Sequence, residues 1–542
     1  MKLRANYVDI LHREIYPAEL HIEQQKIKSI TRLTSDLELA HYVIPGFVDA
    51  HVHVESSMLV PSEFARLAVR HGTVGTVSDP HEIANVLGIP GVEYMLENAA
   101  TVPFKFNFGA PSCVPATSFE SAGAVIDPEG VAQLLARPDI KYLAEVMNYP
   151  GVIHRTDDMM DKIAAAKAVG KPIDGHAPGV VGKAIQQYIA AGITTDHECF
   201  TLEEALEKLS LGMKILIREG SAAKNFEALI GLLPQYTAHI MFCSDDKHPD
   251  DLLVGHINQL AARAVAKGIS VFDVLQAACI NPVAHYNLDI GTLKEGDWAD
   301  FVLVHDLQDF EAHATYINGE LVAKEGRDYL SSVRPSLVNQ FNATPKTVKD
   351  FALEAEGEHI QVIQAIDGAL ITKKITRPTP IHKGLAVSDS TQDILKIAVI
   401  NRYQDAPPAL AFINGFSLKE GAIASCVGHD SHNIIVVGVS DDAICQAVNL
   451  IIQHQGGIAA VGANDEQVLP LPIAGILSDQ SGETVATAYS QLDQFVKTEL
   501  GCSLRAPFMT LSFMALLVIP NLKLSDQGLF DGGSFEFTPL FV

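Results

Sequence analysis

The chain has 542 residues, of which 48% are apolar, so it is not a disordered protein and is long enough for two or three domains with sizeable cores. Lysine and arginine total 39 against 65 acidic residues, and the formal charge of −26 argues against a nucleic-acid-binding protein. The N-terminus lacks the apolar segment of a signal peptide, and the apolar stretch 509–520 is too short to span a bilayer. We therefore expect a cytoplasmic protein with no nucleic-acid or membrane partner.

Short apolar runs alternate with amphipathic helical stretches over much of the chain after the first 45 residues. The apolar runs predict eight strands, at 43–52, 74–78, 104–108, 142–147, 172–175, 193–196, 213–217 and 239–243. Eight βα units in about 245 residues are typical of an α/β fold, and we predict a (β/α)8 TIM barrel over residues 46–286.

Segments rich in β-forming residues, without a long helical period, flank this region on both sides. They lie in residues 1–45 and 287–344, and we predict that the two parts pair into one small β domain beside the barrel. After a polar stretch rich in turn-forming residues, a second alternating pattern predicts a C-terminal α/β domain over residues 345–542.

The first barrel strand ends in residues 49–53, which are Asp-Ala-His-Val-His. Residues two apart on a strand point to the same face, so His51 and His53 can both present a ring nitrogen to one metal ion. Two histidines satisfied separately in a core would give the same pattern, so the pair alone does not establish a metal site.

Further residues of metal-ligand type follow the ends of later strands, where a TIM barrel places its chemistry. They are Glu145 after strand four, His176 after strand five, His197 after strand six and Asp245 after strand eight. Singly, each has an ordinary explanation as a helix cap, a loop residue or part of a solvated turn. Together, four imidazoles and two carboxylates are enough for two divalent ions, and nitrogen and oxygen ligands suit manganese, iron or zinc without choosing among them.

Such a centre supplies its own nucleophile, because a metal-bound water has its pKa lowered from ~15.7 toward ~7 and is available as hydroxide at neutral pH. Asp245 is the predicted general base, since a carboxylate after strand eight can bind one metal and accept the proton of the attacking hydroxide. No glycine-rich phosphate loop accompanies these residues, so we predict no nucleotide cofactor.

Long runs around these residues resemble the amidohydrolase superfamily, and within it most closely the bacterial branch that deaminates adenine. The similar runs are 45–59, 78–86, 144–152 and 242–251, with a further one at 418–438, so the resemblance covers nearly the whole chain. It implies hydrolytic attack of metal-activated hydroxide at C6 of adenine, which gives hypoxanthine and ammonia in purine salvage. It also implies two divalent ions, Mn²⁺ or Fe²⁺ before Zn²⁺, bound by the six residues named above.

Glu145 departs from many members of that superfamily, which resemble this chain in architecture but carry a carboxylated lysine on strand four as the metal bridge. The resemblance therefore leaves two roles for Glu145, either a bridging ligand or an acid that protonates the purine ring at N1. The sequence does not separate these roles.

Residues after strands two and seven are candidates for contact with the substrate. Asp79, His81 and Glu82 lie just past strand two, where a loop can reach the substrate. We predict catalytic roles for Asp79 and His81, although Asp79-Pro80 is also typical of a turn and His81-Glu82 of a helix start. Arg218, after strand seven, is a weaker candidate, because it can equally form an ion pair with Glu219 or another surface acid.

His429 and His432 precede the strand-like run 434–437, which favours a turn over a metal site. Two alternatives to adenine deamination remain: a related amidohydrolase that opens a cyclic amide or removes an N-acyl group, and a noncatalytic scaffold that retains the fold. The chain keeps a full ligand set, which disfavours the scaffold. We expect adenine as the small-molecule partner and a homo-oligomeric assembly.

Overall fold

The chain begins with an antiparallel meander in the computed structural model, which describes residues 1–34, 37 and 39–542. Its first strands are β1 (Lys2–Asp9), β2 (Glu14–Glu23), β3 (Lys26–Arg32) and β4 (Tyr42–Pro45). β1 pairs antiparallel with β2 and parallel with β4, and β2 pairs antiparallel with β3. Ala5 and Leu20 are fully buried, and the residues on either side of each along the strand are more exposed, which is the pattern of a sheet with one face on a core.

Eight parallel strands follow, each close to a position where the sequence predicts one. They are β5 (Phe47–Val52), β6 (Thr73–Ser78), β7 (Lys105–Ala110), β8 (Ile140–Val146), β9 (Ile173–Gly175), β10 (Thr195–Asp196), β11 (Lys214–Arg218) and β12 (Ile240–Cys243). β5 to β9 form one sheet in sequence order, and β10 to β12 form a second. The Asp245 amide donates to the His51 carbonyl over 2.9 Å, and the Thr194 amide to the Ile173 carbonyl over 3.0 Å, so the two sheets adjoin at both ends. The strands thus form a curled parallel sheet.

Helices connect the parallel strands and cover the outside of the curled sheet, as repeated βα units require. They are α1 (Pro61–Ala68), α2 (His81–Leu87), α3 (Ile89–Ala99), α4 (Pro128–Leu135), α5 (Tyr149–Ile153), α6 (Asp157–Ala168), α7 (Gly182–Ala190), α8 (Leu202–Ser210), α9 (Phe226–Leu229), α10 (Pro249–Val254), α11 (Ile257–Ala266), α12 (Val271–Leu275) and α13 (Asn281–Tyr286). α8 begins after Thr201, whose side chain accepts a hydrogen bond from the Glu204 amide and caps the helix.

The chain then returns to the first sheet and completes it. The returning strands are β13 (Phe301–Val304), β14 (Ala312–Ile317), β15 (Glu320–Lys324) and β16 (Arg327–Asp328). β13 pairs antiparallel with β4, with Phe301 opposite Pro45. One eight-stranded sheet therefore contains the strands that precede the parallel region, β1 to β4, and those that follow it, β13 to β16. The predicted range 1–45 includes residues 35, 36 and 38, which lie outside the described part of the chain.

Gly46 divides the predicted strand 43–52 into two strands, and the single-strand prediction is wrong at this point. β4 belongs to the first sheet and β5 to the parallel sheet, with Gly46 between them. A Cβ atom on Gly46 would lie 2.3 Å from Cγ2 of Val74, so only glycine lets the backbone pass here. Both strands are buried and therefore apolar, so the sequence pattern does not show where the chain passes from one sheet to the other.

The C-terminal part of the chain contains a second mixed sheet. Its strands and those of two smaller sheets are β17 (His359–Gln364), β18 (Lys373–Pro378), β19 (Ile381–His382), β20 (Leu385–Ala386), β21 (Leu395–Ile400), β22 (Ala409–Asn414), β23 (Ala422–Ser425), β24 (Ile434–Gly438), β25 (Ile458–Val461), β26 (Glu466–Leu469), β27 (Leu522–Ser525), β28 (Gly528–Asp531) and β29 (Glu536–Phe537). The eight-stranded order is β18-β17-β22-β21-β24-β23-β25-β26. Helix α14 (Asp441–His454) packs on it through buried residues such as Val448 and Ile451.

Helices α15 (Gly482–Thr498) and α16 (Pro507–Ser512) complete the C-terminal part, and α15 packs against the helices that follow β5 and β12. The Gly482 amide donates to the Glu63 carboxylate over 3.1 Å, and the Ser478 amide donates to the Met58 carbonyl over 2.8 Å. The C-terminal part therefore docks beside the loops that leave the parallel strands. No helix in the described ranges is both long and apolar enough to cross a membrane.

Lys523 of β27 is buried in this packing, and its protonation should make the stability of the protein depend on pH. Its buried ammonium donates 2.8 Å hydrogen bonds to the carbonyls of Leu370 and Phe513, and burial lowers the pKa of Lys523 to about 7. The unfolded chain keeps a lysine protonated up to about pH 10.4, so between about pH 7 and 10 the unfolded state binds more protons and stability rises with pH.

We therefore expect Lys523→Met to remove this rise, which is at most about 1.4 kcal/mol of unfolding free energy per pH unit. Urea unfolding at pH 7, 8 and 9 measures it, with the exposed Lys373→Met as the control that keeps the wild-type slope. Parallel stability curves for wild type and Lys523→Met would contradict the prediction.

Candidate metal centre

The histidines at the end of β5 converge as their spacing predicts. His51 and His53 are both buried, and their Nε2 atoms lie 3.3 Å apart. The Nδ1 atom of His53 lies 3.2 Å from the Asp79 carbonyl, an acceptor that orients Nδ1 as the N–H donor and leaves the Nε2 lone pair facing His51. Two ring nitrogens that face each other in this way are arranged as ligands of a shared cation.

Glu145, near the end of β8, lies at the centre of the cluster. Its Oε1 atom is 3.2 Å from Nε2 of His53, while Oε2 is 2.8 Å from Nδ1 of His176 and 3.1 Å from Nε2 of His197. Burial favours the neutral acid, but His176 and the other imidazoles outweigh burial and hold the pKa of Glu145 well below its ordinary value. The carboxylate thus links histidines from three different strand ends.

Asp245 approaches the same histidines from the end of β12. Its Oδ1 atom lies 3.2 Å from Nε2 of His53 and 3.4 Å from Nε2 of His51. Oδ2 accepts a 2.5 Å hydrogen bond from Nη1 of Arg218. Burial raises the pKa of the Asp245 carboxyl, but the Arg218 guanidinium outweighs burial, and the pKa lies well below its ordinary value.

Arg218 is a buried part of the site, and the alternative pairing with Glu219 is wrong. Its guanidinium donates to both oxygens of Glu198 as well as to Asp245, whereas Glu219 pairs with Arg263 at 2.6 Å. The Glu198 carboxylate also lies 3.6 Å from His176, so a residue next to a predicted ligand enters the cluster. The sequence signal for Arg218 is a cation that directly follows the apolar run 215–217 at the end of a strand.

Asp79 and His81 lie at the edge of the cluster. Nδ1 of His81 is 3.0 Å from Oδ2 of Asp79 and 3.6 Å from Oε1 of Glu145. His81 is also the first residue of α2, so the predicted helix start is confirmed, and it directs the imidazole toward the cluster.

The C-terminal part contributes residues to the same site through the turn between β23 and β24. The predicted turn is confirmed, and it places His429 against Glu82, while Nε2 of His432 lies 2.5 Å from the other Glu82 oxygen. Oδ1 of Asp430 lies 3.7 Å from Nε2 of His81. The sequence places Glu82 beside the substrate candidates Asp79 and His81 but gives no sign of its histidine partners, and it does not identify Asp430 as a site residue, because these contacts join positions about 350 residues apart.

The donor set fits divalent metal ions. Neighbouring donor atoms lie 3.2–3.4 Å apart around His53, the separation expected of ligands whose bonds to one ion are about 2.0–2.2 Å long. Nδ1 of His51 and Nε2 of His176 are buried without a hydrogen-bond partner among the described residues. All donors are nitrogen or oxygen, which suits manganese, iron or zinc. The six predicted ligands therefore lie in one buried cluster, and their metal-binding role stays a prediction.

Two family models match the chain. The model of the amidohydrolase family matches residues 42–322, and the model of the adenine deaminase C-terminal domain matches residues 369–536. Adenine deaminase from Sulfurovum sp. (strain NBC37-1) is 57% identical over 537 residues and covers 99% of each chain. Adenine deaminase from Salinibacter ruber is 54% identical over 536 residues, which cover 99% of this chain and 98% of that protein.

Solved structures show a more distant similarity. Beta-aspartyl dipeptidase from Fervidobacterium islandicum is 15% identical with a TM-score of 0.46, and the match covers 61% of this chain and 100% of that chain. N-acetyl-D-glucosamine-6-phosphate deacetylase from Mycobacterium smegmatis is 14% identical with a TM-score of 0.44, and covers 60% of this chain and 100% of that chain.

Proposed function

This chain belongs to the amidohydrolase family and to the adenine deaminases within it, and we propose that the buried cluster of histidines and carboxylates is where it hydrolyses adenine to hypoxanthine and ammonia. The observation that carries the assignment is 57% identity to an adenine deaminase over essentially the full length of both chains. It favours adenine over a cyclic amide or an N-acyl substrate, and it favours an enzyme over a noncatalytic scaffold.

We propose that the cluster holds two divalent ions, Mn²⁺ or Fe²⁺ before Zn²⁺. The ligands would be the residues that converge from five strand ends: His51, His53, Glu145, His176, His197 and Asp245. When bound, ions of this kind lower the pKa of coordinated water from ~15.7 to ~7 and so supply hydroxide at neutral pH.

Glu145 is proposed to act as the bridging ligand. Its two oxygens contact different histidines, with His53 on Oε1 and both His176 and His197 on Oε2, and a carboxylate placed between two sets of imidazoles suits a bridge. A carboxylate that holds a cation would be ionised, which disfavours the alternative role of a proton donor to purine N1.

Asp245 is proposed to be the general base. It is held ionised by Arg218 and directs Oδ1 toward His51 and His53, so the same oxygen can receive the proton of the nucleophile as the bond to C6 forms. His81 is proposed to pass a proton toward the leaving amine, with Asp79 at 3.0 Å fixing the orientation of its ring. Release of ammonia needs such a proton, because the amide ion is a very poor leaving group.

We also propose that β5 to β12 close into a complete (β/α)8 barrel over residues 46–286. The isolated parallel bridge between Val52 and Asp245 supports closure, since it joins the first and last strands. The shared sheet of β1 to β4 and β13 to β16 supports one small β domain from 1–45 and 287–344, and the second mixed sheet supports a separate domain from 345–542.

Purified protein should release hypoxanthine and ammonia from adenine in equal amounts. The assay compares chelator-treated protein with protein reloaded anaerobically with Mn²⁺ or Fe²⁺, and we expect turnover only in the loaded samples. N-acetylglucosamine 6-phosphate and dihydrouracil serve as N-acyl and cyclic-amide controls and should give no product. Turnover of either control with adenine left intact would overturn the proposed reaction, and light scattering on the same sample tests the predicted homo-oligomer.

A further inference from the structure

The cavity in front of the metal-type cluster has two unlike walls. The parallel sheet supplies a wall of imidazoles and carboxylates, and the C-terminal part supplies the other wall through Leu370, His429, Asp430, Phe513 and Leu516. Three of these five side chains are apolar, whereas the wall from the parallel sheet is almost wholly polar. A small aromatic base that reacts at one edge needs both kinds of surface.

We propose that this C-terminal wall, defined by the five residues above, is the purine-binding subsite, in which Asp430 accepts a hydrogen bond from the imidazole-ring N–H of the free base. The inference rests on the proposed function. It assigns substrate recognition to the C-terminal domain and separates recognition from the hydrolytic chemistry at the opposite wall.

The Asp430 carboxylate is buried and incompletely paired, which supports a role in binding the base. The residue is 2% exposed, and Oδ2 has no hydrogen-bond partner within the part of the chain that the structure describes. Its nearest cation-forming neighbour is His81, with 3.7 Å between Oδ1 and Nε2, which is beyond hydrogen-bond distance. Asp430 lines the cavity. A buried carboxylate oxygen without a partner requires a donor, and a purine N–H supplies one.

Asp430 is also not needed to attach the C-terminal part to the rest of the chain. The contacts that do so nearby come from its neighbours: His429 and His432 pair with Glu82, and the Ser431 hydroxyl donates to Glu120 over 2.7 Å. Three of four consecutive residues thus anchor the turn, while the fourth, Asp430, lines the cavity and has one oxygen without a partner among the described residues.

The aromatic and apolar side chains of the wall suit a flat heterocycle. Phe513 stacks on His429 with ring centroids 4.7 Å apart and an angle of 13° between planes, and both rings are buried. Lys523 fixes the backbone on both sides of the apolar surface by donating to the Leu370 and Phe513 carbonyls. These two hydrogen bonds hold the backbone at both residues of the apolar surface.

The geometry also predicts which purines are accepted. When C6 faces the metal-type cluster, the imidazole ring of the base points away from it and toward the C-terminal wall. An N–H there pairs with Asp430, whereas a substituent at N9 replaces the donor and leaves the carboxylate unpaired. The subsite thus selects free adenine over N9-substituted adenines.

Steady-state kinetics of metal-loaded Asp430→Ala, Asp430→Asn and Phe513→Ala with adenine and 9-methyladenine test the proposal. We expect Asp430→Ala to raise KM for adenine at least tenfold with a smaller change in kcat, and to reduce the wild-type preference for adenine over 9-methyladenine at least tenfold. Asp430→Asn, which keeps an acceptor oxygen, should recover part of the loss, and Phe513→Ala should raise KM for both bases alike.

Asp526→Asn is the matched control, since Asp526 lies in the C-terminal part and bonds Ser121 and Asn401 away from the cavity. It should keep the wild-type KM and the wild-type preference. Metal content by mass spectrometry must equal wild type in each variant, because a loss of activity together with metal would make Asp430 structural and overturn the proposal. Unchanged KM and preference in a metal-replete Asp430→Ala protein would also overturn it.

Calorimetric binding of hypoxanthine separates this proposal from the proposed reaction. If wild type binds hypoxanthine and Asp430→Ala binds it at least tenfold more weakly, the subsite stands even where no adenine is turned over. If the two proteins bind it equally, the subsite is wrong while deamination itself is untouched.

Discussion

Replacing Asp245 with asparagine is expected to lower kcat for adenine by roughly 10²–10⁴-fold, the range that a positioned general base contributes. Asparagine keeps an oxygen near His51 and His53 but cannot accept the proton of the nucleophile. It also removes the charge that Arg218 holds in place through the 2.5 Å contact with Oδ2. The chain should still fold, because the amide has nearly the same size and keeps the backbone contacts between residue 245 and the end of β5.

The measurement is the kcat of metal-loaded Asp245→Asn beside its metal content and far-ultraviolet circular dichroism. Asp250→Asn is the matched control, since Asp250 lies five residues away in the first turn of α10 and outside the cluster. A folded, metal-replete Asp245→Asn protein with the wild-type rate would remove Asp245 from the chemistry.

Replacing Arg218 with methionine is expected to cost about 3–5 kcal/mol of unfolding free energy, the usual effect of removing one partner from a buried ion pair. Arg218 is fully buried and pairs with two carboxylates, Glu198 and Asp245, and the substitution would remove the guanidinium from both of them. Methionine retains most of the packing, so the loss reports on charge and hydrogen bonding more than on a cavity.

Urea unfolding of metal-free protein, followed by the fluorescence of Trp298, measures this effect. Trp298 is the single tryptophan of the chain and lies between Lys26 of β3 and Lys105 at the start of β7, so its signal reports on the contact between the first sheet and the parallel sheet. Arg263→Met removes a half-exposed arginine that pairs with Glu219 and Glu227, and it should cost under about 1 kcal/mol. Equal losses of unfolding free energy for Arg218→Met and Arg263→Met would contradict the prediction, because burial of Arg218 would then not increase its contribution to stability.

The positions of the parallel strands could be predicted because each is a short apolar run between helical patterns. The same period places ligand-type residues at the strand ends, so His51, His53, Glu145 and Asp245 were accessible from sequence alone. Glu198 could not be identified in this way. The alternation of side-chain direction stops where a strand ends, so Glu198 can point to the same side as its neighbour His197.

Contacts across domains were beyond sequence reasoning for a different reason. Glu82 and His429 are 347 positions apart, and no local pattern in either segment indicates the other. Arg218 shows the same limit over a shorter span, since its partners follow other strands and only the curled sheet brings them together. The period and spacing of the sequence predict which residues lie on one face of a strand or helix. Only the tertiary fold determines which residues of other elements they contact.

The division of the first sheet between the two flanks of the parallel region bears on how the protein is made. β4 acquires its antiparallel neighbour β13 only after about 300 residues have left the ribosome, and until then one side of β4 carries unpaired backbone groups. A nascent or truncated chain that stops before Phe301 would therefore expose an open strand edge suited to joining other chains. Pairing with β13 covers that edge, so the first sheet can be completed only after the whole parallel region has been synthesised.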